Sequence, residues 1–379
     1  MSIALLVLIS AAAAVFYVLF GYPLLLALVP TRRSPQVAKD LHYQTTVTLI
    51  MSVYNGAAYL RAKMDTIFAL DYPSHLLQII VVSDGSSDET ESIIRDYADR
   101  GVELLALPHG GKAVAVNHAL ERATGEILFF TDVRQPLDPM SLQHLVANFA
   151  DPTVGAVTGE MQLRKSEEGE QADMDLYWRY ELWARRRHSE IDSLFNTTGC
   201  IYAMRLALSK PLAPDTLSDD AALPLGAFFS GYRVIFDPAA IAIDYPAVAG
   251  TESRRRFRNL AGLWQTFVRF PRLFTSGNRM RFHFLSHKFA RLALPWFLLL
   301  MLSATIALPA SRWRWWLLGV ELAFGALALL DTLVPRGFPL KRLSSPARTF
   351  LLMNVASLAA PVVFFVPAGR LWVPTRVKK

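Results

Sequence analysis

The chain has 379 residues, a single cysteine, a formal net charge of +7 and 53% hydrophobic residues. Its mean hydropathy of +0.28 is positive although charged stretches interrupt it, so apolar residues concentrate in membrane segments beside a water-facing domain. One cysteine excludes a disulfide-built scaffold and fits a domain that faces a reducing compartment.

The first thirty residues carry no charge and are long enough to cross a bilayer. The start lacks the basic residues of a secretory signal, which predicts a retained anchor over residues 1–30. Thr31-Arg32-Arg33 follows directly, and the positive-inside tendency places those arginines, and the domain after them, on the cytoplasmic side.

Strand-like and helix-like patterns then alternate. TVTLIMSVYNG predicts a buried strand with a Tyr-Asn-Gly turn, followed by the helical spacing of AAYLRAKMDTIFAL. The run IIVVSDGSSDET, Ile79 to Thr90, predicts a second strand buried on both faces and stopped by a polar turn. Asp84 and Asp88 fall in that turn, and Asp88 also suits the cap of the next helix. VELLALP, a Gly-Gly-Lys loop, a helix through AVAVNHALERA and the strand GEILFFTDV complete a βαβα succession, which points to a mostly parallel sheet covered by helices. Tyr54, Asn55, Asp84 and Asp132 each close a strand, so they gather at the sheet edge where α/β proteins bind ligands. Neither G-x-G-x-x-G after the first strand nor G-x-x-x-x-G-K-[ST] is present, which disfavours a dinucleotide enzyme and a P-loop ATPase. The histidines show no spacing for zinc.

Toward the other end, three apolar stretches approach the length of a spanning helix: about Leu292 to Pro309, Trp313 to Val334 and Thr349 to Pro367. The loop Pro335 to Arg342 and the tail after residue 369 are both basic. Three full crossings put them on opposite faces, so the positive-inside tendency is met at both only if one stretch is re-entrant or interfacial. Glu321 and Asp331 single out the middle stretch, although Asp331 also suits solvation of a helix end.

The ordered motifs VTLIMSVYNGAAYL, VVSDGSSDET, GGKAVAVNHAL, ILFFTDVRQ, DLYWRYELWARRR, NTTGCIYAMR, TLSDDAALPLGAFFSGYRVIFDPAAIA and RRRFRNLAGLWQTF, beside membrane helices, resemble the membrane-bound family 2 glycosyltransferases. That resemblance implies an α/β GT-A fold with one amino-terminal and about three carboxyl-terminal transmembrane helices. It implies an anchor at 1–30, a cytoplasmic catalytic domain at 31–250, amphipathic interfacial helices at 251–291, transmembrane helices at 292–367 and a basic tail at 368–379. The location it implies is a bacterial inner membrane.

Carried over position by position, the resemblance gives Asp84 the nucleotide's base or ribose, with Tyr54 and Asn55 beside it. Lys112 and Asn117 fall near the diphosphate, where a Gly-rich loop and a lysine also suit an anion on elementary grounds. Asp132 matches the first carboxylate of the Asp-x-Asp motif and so the ligand of Mg²⁺ or Mn²⁺. The sequence reads Asp132-Val133-Arg134, so the second carboxylate is missing. Either Asp132 suffices together with the substrate's phosphates, or Arg134 contacts the diphosphate itself. Asp219 and Asp220 match the family's acidic pair, with Asp220 as the base that takes the acceptor hydroxyl's proton. NTTGCIYAMR resembles the segment that shapes the floor of either the acceptor or the donor-sugar site, with Gly199 permitting close approach, and Gln265 resembles a position lining the nucleotide-sugar mouth. Glu252 to Phe257 stands where polymerising relatives carry Gln-x-x-Arg-Trp, so Arg255 or Arg256 is the matching arginine.

The activity implied is inverting transfer from a nucleotide diphospho-sugar, UDP-sugar favoured, to a lipid-linked or polysaccharide acceptor at the membrane, with polysaccharide-secretion proteins as partners. The rival reading is a non-catalytic nucleotide-binding subunit of a polysaccharide synthesis or secretion complex. Nucleic-acid binding is disfavoured because the basic residues crowd beside membrane segments instead of interleaving with aromatics on a sheet.

Overall fold

The computed structural model describes residues 2–30, 36–163, 172–245, 251–335, 337–367 and 369. The arginines at 32 and 33 and nearly all of the basic tail lie outside the described residues.

The chain opens with α1 (Ile3–Phe16), which runs through a π turn at Tyr17–Gly21 into α2 (Tyr22–Leu28). The soluble part then lays down β1 (Val47–Val53), α3 (Ala57–Phe68), β2 (Leu77–Asp84), α4 (Thr90–Arg95), β3 (Val102–Leu107), α5 (Lys112–Arg122), β4 (Ile127–Thr131) and α6 (Ser141–Ala147). β5 (Val154–Leu163), α7 (Ala172–Ile191), β6 (Ile201–Arg205), α8 (Asp219–Phe229) and β7 (Arg233–Asp244) complete it. The seven strands form one sheet in the order β3-β2-β1-β4-β6-β5-β7. All pairings are parallel except those of β6, which runs against both β4 and β5.

This topology explains why the polar strand ends converge. β1 lies between β2 and β4, so the order reverses beside it and leaves a crevice at the carboxyl ends of the strands. The reversal of β6 brings its amino-terminal end, with Gly199 and Cys200 just before it, to that same edge, where Ile201 pairs with Thr131. The alternation along the central strands confirms burial on both faces. Leu49, Met51, Ile79, Val81 and Phe129 pack into one core layer, while Ile50, Ile80, Val82, Leu128 and Phe130 pack into the other.

After the sheet come α9 (Thr251–Arg269), then α10 (Arg281–His283), which passes through a π turn at Phe284–Phe289 into α11 (Ala290–Ala307), and finally α12 (Arg312–Leu329) and α13 (Lys341–Ala359). Four helical stretches are long and apolar enough to cross a membrane: Ile3–Leu28, Arg281–Ala307, Arg312–Leu333 and Lys341–Phe364. The last begins earlier than the hydropathy pattern suggested, because its first turns are polar and anchored. Asp331, only 1% exposed, takes Lys341 Nζ at 3.0 Å, Ser344 Oγ at 2.6 Å and Arg348 Nη1 at 3.5 Å, which satisfies the carboxylate at the corner between the helices. Glu321 accepts a hydrogen bond from Thr305 Oγ1 at 3.1 Å across the α11–α12 contact.

Polar contacts tie the amino-terminal helix to the sheet domain. Arg187 on α7 donates to the carbonyls that end α2, reaching Val29 O at 2.6 Å. The Tyr22 hydroxyl lies 2.7 Å from His188 Nε2 and 3.0 Å from His283 Nδ1. The two π turns meet where Tyr17 OH and Ser286 Oγ stand 2.7 Å apart.

Candidate active site

The β1 and β2 turns are knitted into one rim. Asn55, held at φ 49, accepts from Ser87 N at 2.8 Å through Oδ1, and its own N–H donates to Ser86 Oγ at 3.1 Å. Asp88 accepts from Ala57 N at 3.1 Å and from Thr90 N at 3.0 Å, which makes it a clamp on the starts of two helices. That is the capping alternative for Asp88, extended to a second helix.

Asp84 ends β2 and is 3% exposed. Its Oδ1 accepts from Gly110 N at 2.7 Å and Gly111 N at 3.1 Å, its Oδ2 accepts from Gly111 N at 3.0 Å, and His109 Nδ1 lies 3.0 Å from the same Oδ2. Asp84 therefore fixes the His-Gly-Gly turn that precedes Lys112. Gly85, at φ +67, makes this possible: a Cβ there would lie 2.5 Å from His109 N. Gly85→Ala is expected to push the turn off Asp84 and weaken nucleoside-diphosphate binding by about 10-fold or more. Isothermal titration of the variant against wild type measures it.

Lys112 is the hub. Its Nζ lies 3.0 Å from Asp132 Oδ1 and 3.3 Å from Asp219 Oδ1, joining the end of β4 to the first turn of α8. Burial alone would lower the lysine's pKa, but Asp132, Asp219 and Asp220 outweigh it and hold the ammonium above its ordinary value. Asp219 is buried, with Tyr202 OH 3.5 Å from its Oδ2. Asp220 is half-buried next to it. Desolvation and the charge of Asp219 push its pKa up to about 6, against the opposing pull of Lys112 and Arg185. Its carbonyl accepts from Thr197 N at 2.8 Å, which places the stretch before β6 beside it. A Cβ on Gly199 would stand in ordinary contact with Asp220, 3.7 Å from its Oδ2, so the glycine lies directly beside that carboxylate.

Arg134 turns away from Asp132. Its Nη2 lies 3.0 Å from Asp244 Oδ2, and Arg255 Nη1 lies 3.4 Å from the same oxygen. Asp244 ends β7 at 1% exposed, so the parallel β5–β7 pair delivers a further strand-end carboxylate to the crevice edge. Sequence reasoning missed Asp244, although the alternation RVIFDPAAIAID ending in Asp carried the same signal as the other strand ends.

Two further expected residues stand behind the crevice as struts. Asn117 pairs with the backbone of Leu212 in both directions, each bond 2.8 Å long. Gln265 accepts from Leu217 N at 3.0 Å and donates to Asp215 O at 2.8 Å, gripping the loop that leads into Asp219. Of the basic cluster at the start of α9, Arg254 is exposed, Arg256 Nη1 reaches Met353 Sδ at 3.7 Å, and Arg258 sits in the field of Asp132, Asp220 and Asp219. Glu181 on α7 is an ion-pair residue, since it bonds Arg291 and lies 3.8 Å from Lys288 Nζ. Cys200 is buried and its thiol pKa is raised, chiefly by burial, so it is a packed side chain.

Lys63 carried no sequence signal beyond its place on a helix. It is 1% exposed, and its Nζ donates to Thr131 Oγ1 at 2.7 Å and Gln135 O at 2.5 Å, spanning the turn that bears Asp132 and Arg134. Burial pulls its pKa down to about 7 from 10.5. Between those values the unfolded chain keeps a proton that the folded chain has released, so this group makes unfolding free energy rise with pH. Lys63→Met is expected to remove that rise and to cost about 1–3 kcal/mol through the unpaired oxygens it leaves. Denaturation of both proteins in nanodiscs across pH 7–10 checks it.

Among the described residues no group of three or more His, Cys, Asp or Glu is arranged to hold a metal. Asp132, with 38% of its side chain exposed, fits a Mg²⁺ or Mn²⁺ bound through one protein carboxylate and completed by substrate phosphates and water.

Residues 48–212 match the family model described as Glycosyl transferase family 2. The chain carries a family 2 glycosyltransferase domain. A mannosyltransferase from Pyrobaculum calidifontis, solved in complex with GDP-Man and Mn2+, superimposes on this GT-A fold with a TM-score of 0.75 at 26% identity, covering 94% of this chain and 99% of that one. Poly-beta-1,6-N-acetyl-D-glucosamine synthase of Staphylococcus epidermidis is 22% identical over 247 residues, 63% of this chain and 57% of that protein. An uncharacterized glycosyltransferase of Rickettsia prowazekii is 34% identical over 104 residues, 27% of this chain and 32% of that protein. The chain thus spans between about a third and just over half of those two relatives.

Proposed function

We propose that this protein is an inverting glycosyltransferase that moves a sugar from a nucleotide diphospho-sugar to a lipid-linked or glycan acceptor at the cytoplasmic face of a membrane. The observation that carries this reading is the meeting of Lys112, Asp132, Asp219 and Asp220 at one sheet edge, with Asp220 pushed up to about 6. A carboxylate at that pKa is mostly ionised near neutral pH yet basic enough to accept a hydroxyl proton. A binding subunit has no use for such a group.

In this reading the His-Gly-Gly turn, braced by Asp84, positions the nucleotide. The Lys112 ammonium faces the diphosphate and balances the charge that grows on it as the glycosidic bond breaks. A divalent cation held at Asp132 would add Lewis-acid stabilisation of that same leaving group. Asp220 takes the acceptor's proton while the hydroxyl oxygen attacks the anomeric carbon from the face opposite the diphosphate. One displacement inverts the centre, so an α-linked donor yields a β-linked product. Gly199, which puts no side chain against Asp220, supports close approach of the acceptor to that carboxylate. The four apolar helices support a membrane-borne acceptor, and the GDP-Man and N-acetyl-glucosamine chemistry named for the relatives supports a hexose donor.

The test is release of nucleoside diphosphate by the protein in nanodiscs with native lipids, across UDP- and GDP-sugars, with Mg²⁺, Mn²⁺ or EDTA. Release with one donor that disappears in Asp220→Asn supports the transferase. Nucleotide binding without release from any donor sinks it in favour of the regulatory subunit.

A further inference from the structure

Asp84 is 3% exposed and its carboxylate is occupied by Gly110 and Gly111, so the group it presents toward the crevice is the one it holds: His109. The His109 side chain is 55% exposed at the open rim of the switch point. Its ring lies 4.5 Å, centroid to centroid, from the ring of Tyr54 at 31°. The two rings pack against each other where the turns after β1 and β3 meet, and this contact holds the plane of the imidazole in place.

The hydrogen bonds of the imidazole fix its chemistry. Nδ1 lies 3.0 Å from the Asp84 carbonyl oxygen and 3.0 Å from Asp84 Oδ2. Both are acceptors, the second already serving Gly111 N–H, so Nδ1 must carry the proton. In the neutral ring the remaining nitrogen, Nε2, is then a lone-pair acceptor, and it has no partner among the described residues.

We propose that His109 is the base-reading residue of the nucleotide site and that its Nε2 selects bases presenting a ring N–H, uracil through N3–H and guanine through N1–H. Adenine N1 and cytosine N3 present lone pairs at the corresponding positions and meet the histidine acceptor to acceptor. Asp84 is then a positioning residue that sets the tautomer, and Gly85 is the glycine that lets the histidine backbone reach it. This rests on reading the crevice as a nucleoside-diphosphate site.

The experiment is isothermal titration of the full chain in nanodiscs with UDP, GDP, ADP and CDP at pH 8.5. Wild type is expected to bind the better of UDP and GDP about 10-fold more tightly than ADP or CDP, the scale of one hydrogen bond against an unmade one. His109→Phe keeps the ring against Tyr54 and loses the acceptor, so its four affinities should fall within about 3-fold of one another. Equal affinities in wild type, or discrimination that survives in His109→Phe, overturns the inference and leaves the nucleotide site standing. Failure of wild type to bind any of the four overturns the site reading itself.

Discussion

Asp220→Asn is expected to lower kcat by about three orders of magnitude while donor affinity stays within a few-fold, because only proton removal in the transition state is lost. Asparagine keeps the shape and the backbone bond from Thr197 to the residue's carbonyl, but it cannot accept a proton. The wild-type rate should itself fall as pH drops through about 6, where Asp220 becomes protonated. Stability moves the other way. The folded pKa of Asp220 is raised above its ordinary 3.8, so the stabilisation from protonation is complete below about 3.8 and lost as pH rises through about 6. At pH 7.5 the folded chain holds a costly negative charge next to Asp219, and the amide relieves it. The variant should therefore show the same or a higher Tm while losing turnover. A residue needed merely for packing would lose both, so single-turnover kinetics and a thermal melt of one preparation separate the two roles. Unchanged turnover would remove Asp220 from the chemistry.

How far the sequence disclosed this site depends on distance along the chain. The strand ends were legible because burial on both faces of a parallel sheet writes a continuous apolar run that a polar turn must stop, and IIVVSDGSSDET does so within twelve residues. Asp84 and Asp132 were placed at one edge by that rule, whereas the Lys112 turn was placed near the nucleotide by the family resemblance. The reversal of β6 was not legible, since a five-residue apolar strand reads the same in either direction. What the polar side chains touch was less legible still. Asn117 meets Leu212 across 95 residues of sequence and Gln265 meets Leu217 across 48, so their duty as struts of the loop before Asp219 is a property of tertiary packing. Lys63 was hidden for a related reason: a lysine on an amphipathic helix ordinarily snorkels to solvent, and here the turn after β4 supplies two oxygens that hold it inside. Asp244 shows the opposite case, a strand-end signal of the same kind as Asp84 whose partners, Arg134 and Arg255, came from two separate motifs.

Lys112→Met should be the most damaging single change after loss of the base, and its signature differs. The methionine fills similar volume but removes the cation shared by Asp132 and Asp219, leaving those carboxylates and Asp220 to repel one another. Donor KM should rise by about 100-fold, because a diphosphate then meets a site of net negative charge, and kcat should fall with it. The pH profile provides the decisive reading. Lys112 is one of the groups that hold the Asp220 pKa down, so its removal moves the acid limb of the rate profile upward from about 6. Excess Mg²⁺ or Mn²⁺ should recover part of the donor affinity if Asp132, freed of its lysine, takes the ion more tightly. Lys112→Arg keeps the charge in a planar, longer head and should retain more donor binding than methionine without restoring wild-type kcat, since the fork cannot sit between two carboxylates as a compact ammonium does. An acid limb that stays in place in Lys112→Met would separate the lysine from the base and confine its part to the diphosphate.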